Sequence, residues 1–110
     1  MPLNAKYSAD SAGGVKYSNK VLVSIIELAV REIAGVAALS GKGIRLDFNG
    51  KAVNAEIFID VAADVSCTDV AFRVQENVKR SLETMTEFKA EKVNVNIVGV
   101  HFEKEEAAGL

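Results

Sequence analysis

The sequence contains very little of the chemistry on which disulfide-linked, metal-binding or catalytic domains depend. Among its 110 residues there is one cysteine, Cys67, and one histidine, His101. A single cysteine excludes an internal disulfide, and one cysteine with one histidine cannot form a usual structural zinc site. Because no disulfide can form within the chain, the reducing cytoplasm is the expected location.

Long apolar runs are also missing. The most apolar stretch, residues 21–30, is interrupted by Ser24 and Glu27, whereas a helix that spans a bilayer needs about 20 apolar residues. Residues 1–14 hold one lysine and no apolar centre, unlike a secretory signal. We therefore expect no direct membrane insertion, and any membrane association would be made through a partner protein.

The chain has no excess of positive charge. Its 13 lysines and arginines stand against 15 aspartates and glutamates, which gives a formal net charge of −2. Proteins that bind nucleic acid without sequence preference use a basic excess to neutralise phosphates. We therefore expect no nucleic-acid partner of that kind.

What the sequence does contain is one continuous patterned region. Hydrophobic residues make up 49% of the chain and charged residues 25%, as in ordinary globular domains. Apolar periodicity runs through residues 14–103 and is absent before and after them. We predict one domain over 14–103, a disordered N-terminal tail over 1–13 and a disordered acidic tail over 104–110.

Residues 19–34 show helical spacing with a wide apolar arc. Ser18 or Asn19 can cap the start, and Gly35 is placed to end the helix in a left-handed turn. A single polar stripe is formed by Lys20, Ser24, Glu27 and Arg31. The remaining arc is wider than one packing face requires. The helix is therefore predicted either to lie between two layers or to present a second apolar face to a partner.

Two alternating segments predict a β-hairpin. Over residues 44–61 apolar side chains recur at every second position on both sides of Asn49-Gly50, a dipeptide typical of tight hairpin turns. The preceding residues 40–43, SGKG, faintly resemble a phosphate-binding loop. They lead into a strand rather than a helix, so we interpret them as a flexible connection.

A second amphipathic helix is predicted after the hairpin. Ser66 and Asp69 resemble a capping box with the shorter acid. Its apolar arc consists of Val70, Ala71, Val74, Val78, Leu82, Met85 and Phe88. We interpret the charged residues of VQENVKRSLETM, residues 74–85, as a solvated helix face rather than catalytic groups. Phe72 departs from the pattern because it points away from the apolar arc.

A last strand over residues 92–102 alternates until Gly99, where the apolar phase slips and a bulge or bend is expected. The element order is therefore helix–strand–strand–helix–strand. We predict an α+β fold, a two-layer α/β sandwich in which two helices cover one face of a small mixed three-stranded sheet.

Three segments together resemble the alkaline shock protein family of bacterial envelope stress response proteins. They are VLVSIIELAVREIAGVAALSG, FRVQENVKRSLETMT and VNVNIVGVHF, within residues 15–102. The resemblance implies a cytoplasmic bacterial protein that acts as a non-enzymatic scaffold or adaptor through protein–protein contacts. It also implies self-association or contact with a small membrane-anchor protein, and it supplies no catalytic residue, cofactor or metal site.

Four residues are candidates for a protein-contact surface. They are Val23, Val30 and Ala34 on the first helix and Phe72 on the second. An exposed apolar strip of this kind usually marks association. The competing interpretation is that the second helix and the chain ends cover the strip.

An RNA-binding module and an enzyme are the two other function classes. The element order resembles one class of small, KH-like RNA-binding domains, but that class needs a basic GXXG loop between helices, and here the helices are connected through strands. Catalysis by Cys67 would need a general base, and His101 is far away in sequence. We therefore predict no enzymatic activity and keep the KH-like module as the alternative.

Overall fold

A computed structural model describes residues 17–102, which form two helices and three strands. The elements are α1 (Asn19–Arg31), β1 (Val36–Asn49), β2 (Ala52–Ala62), α2 (Cys67–Met85) and β3 (Lys89–His101). The predicted α+β fold and its element order are confirmed. The tails predicted over 1–13 and 104–110 lie outside the described residues, as do residues 14–16 and 103 of the predicted domain.

The central strand of the sheet is β2. It pairs with β1 in the antiparallel sense and with β3 in the parallel sense. Parallel neighbours need a crossover connection, and α2 provides it between β2 and β3. Because α1 packs against β1 and α2 packs against β3, the two helices form one layer over the sheet.

The hydrophobic core lies between the two helices and the inner face of β2. Every second residue of that strand is buried under the helices, namely Val53, Ala55, Ile57, Ile59 and Val61. The predicted apolar arc of α2 is buried at Val70, Val74, Val78 and Leu82. Met85, at the end of the same arc, is exposed because α2 ends there.

Helix α1 begins where its cap predicts and ends earlier than expected. Ser18 is the N-cap, and its Oγ accepts a hydrogen bond from the Val21 N–H at 3.2 Å. The last helical residue is Arg31 rather than Ala34. Gly35 has a φ of 100°, and its carbonyl oxygen accepts a hydrogen bond from the N–H of Ala62 in β2 at 2.9 Å. The chain therefore leaves the helix before Ala34.

The hairpin forms, but its turn lies one residue later than predicted. Asn49 pairs with Ala52, which leaves Gly50 and Lys51 as the two loop residues. Gly50 has a φ of 65°, and no non-glycine residue within 17–102 has a positive φ. A glycine at the first loop position with positive φ is typical of a type II′ turn. Asn49 is therefore the last residue of β1.

The interpretation of residues 40–43 as a flexible connection is wrong, because they belong to β1. The register shifts there, so that all four residues lie opposite Phe58 of β2. The bulge places Lys42 Nζ at 5.6 Å and Arg45 Cζ at 5.8 Å from the centre of the Phe58 ring. An aromatic side chain on the outer face of the sheet is thereby covered and kept 9% exposed.

The bulge predicted at Gly99 is confirmed. The register between β2 and β3 shifts so that Val98 has no direct partner and Gly99 lies opposite Asp60. A Cβ atom on Gly99 would lie 2.6 Å from Asp60 Oδ1, which is closer than real Cβ atoms approach. The extra residue restores the alternation, because Val100 then lies opposite Val61.

Candidate protein-contact surface

Two amide side chains of α2, Gln75 and Asn77, connect elements of the fold. Gln75 Nε2 donates to the carbonyl oxygen of Val93 in β3 at 2.9 Å. Asn77 Nδ2 donates to the carbonyl oxygen of Ala29 at 2.7 Å and to Glu32 Oε1 at 2.9 Å. The last carbonyls of a helix have no partner within it. Asn77 therefore caps the end of α1 from the neighbouring helix.

These contacts refine the interpretation of residues 74–85 as a solvated face. The charged residues Glu76, Lys79 and Arg80 are indeed exposed, whereas Gln75 and Asn77 are half-buried. The two amides lie at the borders between the apolar arc and the charged face of α2. Their position at that border is the signal in the sequence that could have distinguished them from the charged side chains.

A third contact of this kind involves Glu83. Its Oε2 accepts a hydrogen bond from the Ala90 N–H at 3.1 Å. Ala90 belongs to β3, which in the described sheet has β2 on one side and no strand on the other. Free strand edges are sites where another strand can pair. Gln75 and Glu83 therefore occupy backbone groups on the first part of an open edge.

Two adjoining shallow clefts follow the same side of α2. One, of about 190 Å³, is lined by Gln75, Glu76, Lys79, Ala90, Glu91 and Val93. The other, of about 410 Å³, is lined by Ala52, Lys79, Glu83, Lys89, Ala90 and Glu91. Most of these side chains are charged, whereas small-molecule pockets are mainly apolar. The clefts are therefore typical of a solvated groove between a helix and a strand.

The four predicted contact residues do not form one surface. Val30 is fully buried, so its prediction as a contact residue is wrong. Val23 is half-buried, whereas Ala34 and Phe72 are exposed, Phe72 to 58%. The physical reason is that α2 and the sheet together enclose more of α1 than a single packing layer would. For Val30, the structure thus agrees with the competing interpretation, in which the second helix covers the apolar strip.

Large apolar side chains are exposed at other positions. On α1 they are Val21 and Leu28, and Leu28 is 63% exposed. Since these two residues are seven apart, they lie on the same side of the helix. Helix α1 thus has a second apolar strip, but it consists of Val21 and Leu28 rather than Val23 and Val30.

The reactive side chains noted in the sequence are not brought together by a hydrogen bond in the described part of the chain. Cys67 is exposed at the first position of α2, and His101 Nε2 lies 2.8 Å from Asp60 Oδ2. Within residues 17–102, no group of three or more His, Cys, Asp or Glu residues could hold a metal ion. None of the helices in that range has the length and apolar character needed to cross a membrane.

The sequence matches one family model and a curated bacterial protein. The model is that of the alkaline shock protein 23 family, described as having a cell envelope-related function, and it matches residues 39–102. The protein YqhY of Bacillus subtilis (strain 168) is 28% identical over 107 residues. That alignment covers 83% of this chain and 79% of YqhY.

The fold is similar to solved structures of the MamM CTD. A triple variant has a TM-score of 0.54 at 18% identity, over 73% of this chain and 93% of that chain. A nickel form of one variant has a TM-score of 0.53 at 18% identity, over 76% and 98% of the two chains. A copper form of another has a TM-score of 0.54 at 16% identity, over 78% and 99%. At such identities the likeness concerns the fold alone.

Proposed function

Because the chain belongs to the alkaline shock protein 23 family, whose function is described as cell envelope-related, we propose that it is a non-enzymatic adaptor of the bacterial envelope stress response. It acts through contacts with other proteins, which include further copies of itself and a small membrane-anchor protein. Contact with that anchor brings a cytoplasmic protein to the membrane. No catalytic residue, cofactor or metal takes part.

The observation that carries the proposal is how α2 uses its side chains. The polar side chains of Gln75, Asn77 and Glu83 make hydrogen bonds to the backbone of β3 and α1. Phe72, by contrast, is 58% exposed, and the residues one turn away on α2, among them Gln75 and Glu76, are polar. Energetically important contacts between proteins are enriched in aromatic side chains and have a polar rim. This arrangement supports a binding role over a catalytic one.

The test is complementation of a deletion strain under treatment with a cell-wall-active antibiotic. We expect the deletion to increase sensitivity, and the wild-type chain to restore growth. Phe72→Ser should fail to restore growth while its melting temperature stays near that of the wild type, because the side chain is exposed. Leu28→Ser removes an equally exposed apolar side chain from the other helix and shows whether the effect is specific to Phe72.

Two further variants decide between binding and catalysis. We expect Cys67→Ala and His101→Ala to restore growth fully, since no hydrogen bond joins the two side chains in the described residues. Loss of complementation by either variant, with unchanged stability, would show that a reactive group is needed and would contradict the proposal.

The KH-like alternative lacks a supporting observation in residues 17–102. The connection between α1 and α2 is the whole β1–β2 hairpin, rather than a GXXG loop that clamps a nucleic-acid backbone. The two basic residues near the bulge, Lys42 and Arg45, lie over the Phe58 ring. The adaptor function is therefore the one we propose.

A further inference from the structure

The free edge of β3 is divided into a covered and an uncovered part. Within a strand, residues whose side chains point to the same face also direct their backbone groups to the same side. The hydrogen bonds from Gln75 and to Glu83 show that the carbonyl of Val93 and the N–H of Ala90 both point away from β2. The two residues are three apart, and the register shift at Glu91 allows them to share this orientation. These two contacts cover the first part of the edge, which also carries Lys89, Glu91 and Lys92.

The second part of the edge has no such cover. Val95 and Ile97 share the face and therefore the edge orientation of Val93, whereas the His101 carbonyl points back and accepts a hydrogen bond from Ala63. Among residues 17–102, no side-chain hydrogen bond reaches the edge groups of Val95 or Ile97. Val98, in the bulge, is 48% exposed. Edges of this kind are templates for a further strand.

Phe72 lies beside this uncovered part. The crossover α2 runs antiparallel to β3, and the contacts Gln75–Val93 and Glu83–Ala90 set the alignment of the two elements. Three residues before Gln75, the helix has advanced by about 4.5 Å, which is between one and two residues of a strand. Phe72 is on the same side of α2 as Gln75 and Lys79. Its exposed ring is therefore next to the edge near Val95.

We propose that the second part of β3, residues 93–100, pairs in the antiparallel sense with the same segment of a second copy of this chain. The inference rests on the proposed function and names one of its partners. We call the contact between the two copies of residues 93–100 the seam. A two-fold axis through the seam, perpendicular to the sheet, makes the sheet six-stranded and keeps the four helices on one face. The two α2 helices then flank the seam, and each Phe72 is buried against the other copy.

Charge explains why the occupant is a second copy in the antiparallel sense. Residues 93–100 contain no charged side chain, so nothing repels the same segment of another copy. Lys89, Glu91 and Lys92 precede the segment, so this end carries a net positive charge. Parallel pairing would bring the two positively charged ends together, whereas antiparallel pairing separates them.

The size of the seam predicts its strength. A pair of short strand edges with one aromatic residue from each side buries less than the roughly 1,600 Å² of a standard interface. We therefore expect a concentration-dependent dimer in the micromolar range rather than an obligate one.

The test combines sedimentation equilibrium with amide hydrogen exchange on the full chain, from about 1 µM to about 1 mM, a range that spans the expected dissociation constant. We expect the mass to rise from one chain to two, and exchange at the Val95 and Ile97 amides to slow at least tenfold with concentration. Val98→Lys, which places a charge at the edge, and Phe72→Ser should each raise the dissociation constant at least tenfold. The matched control Leu28→Ser, on the other helix, should leave it unchanged.

Three results would overturn the inference: a single-chain mass at every concentration, a dimer in which exchange at Val95 and Ile97 does not change, or equal weakening by Leu28→Ser. These results leave the adaptor role toward another protein standing if Phe72→Ser still fails in complementation, because Phe72 then contacts that protein rather than a second copy. If Phe72→Ser weakens the dimer and yet restores growth, the seam is supported and the Phe72 contact is not needed for the envelope role.

Discussion

The cap that Asn77 provides to α1 predicts a large loss of stability for Asn77→Ala. The variant removes hydrogen bonds to the Ala29 carbonyl at 2.7 Å and to Glu32 Oε1 at 2.9 Å. A typical hydrogen bond contributes about 0.5–1.5 kcal/mol, and a buried partner left unsatisfied costs about 1–3 kcal/mol. The bond to Glu32 is exposed and adds little, so the expected loss is about 2 kcal/mol, mostly from the Ala29 carbonyl.

Urea unfolding followed by circular dichroism measures this loss. We expect a lower midpoint with an unchanged slope, which marks a change of stability rather than of compactness. For a domain of this size, about 2 kcal/mol lowers the melting temperature by roughly 8–16 °C. The matched control is Asn94→Ala, because Asn94 donates only a long, exposed bond of 3.4 Å to Glu56. It should change stability by less than about 0.5 kcal/mol.

The effect should also be local. Amide exchange in the last turn of α1 should accelerate more in Asn77→Ala than exchange in β2, because the lost cap belongs to that turn. If Asn77→Ala is as stable as Asn94→Ala, the cap contributes nothing. The amide would then have to be explained by a contact with another molecule, and the reasoning from its hydrogen bonds would be refuted.

Three further predictions concern the core, the bulge and the central strand. Leu82→Ala should lower the free energy of unfolding by about 2–4 kcal/mol, because the side chain is fully buried and leaves a cavity; a loss below 1 kcal/mol in urea unfolding would contradict its place in the core. Gly99→Ala should cost about 0.5–1.5 kcal/mol, because the Asp60 carboxylate, 2.6 Å from the added Cβ, can move only by giving up its contact with His101. Asp60→Ala should recover part of that loss in a double-mutant cycle, and purely additive losses would count against the clash. Amides of residues 53–61 should exchange slowly, since β2 is paired on both sides; fast exchange throughout would contradict its central place.

Local signals in the sequence determined most of the fold. Ser18 and Ser66 cap the two helices, since each cap depends on backbone groups only three residues away. The alternation around Gly50 specified the hairpin, and the phase slip at Gly99 specified the bulge. In each case the interacting groups are close in the chain or repeat with a fixed period, so their spacing alone carries the information.

Only the tertiary structure decided which apolar residues are exposed and which amides connect elements. The apolar circumference of α1 predicts Val30 at the surface, whereas the combined cover of α2 and the sheet buries it. The cap on Ala29 comes from Asn77, 48 residues along the chain. The extension of β1 through residues 40–43 follows from the pairing of Leu39 with Ile59 and of Ile44 with Ile57, on either side of Phe58. Each of these outcomes depends on a partner that periodicity cannot identify, because packing brings distant segments together according to shape and unsatisfied hydrogen bonds.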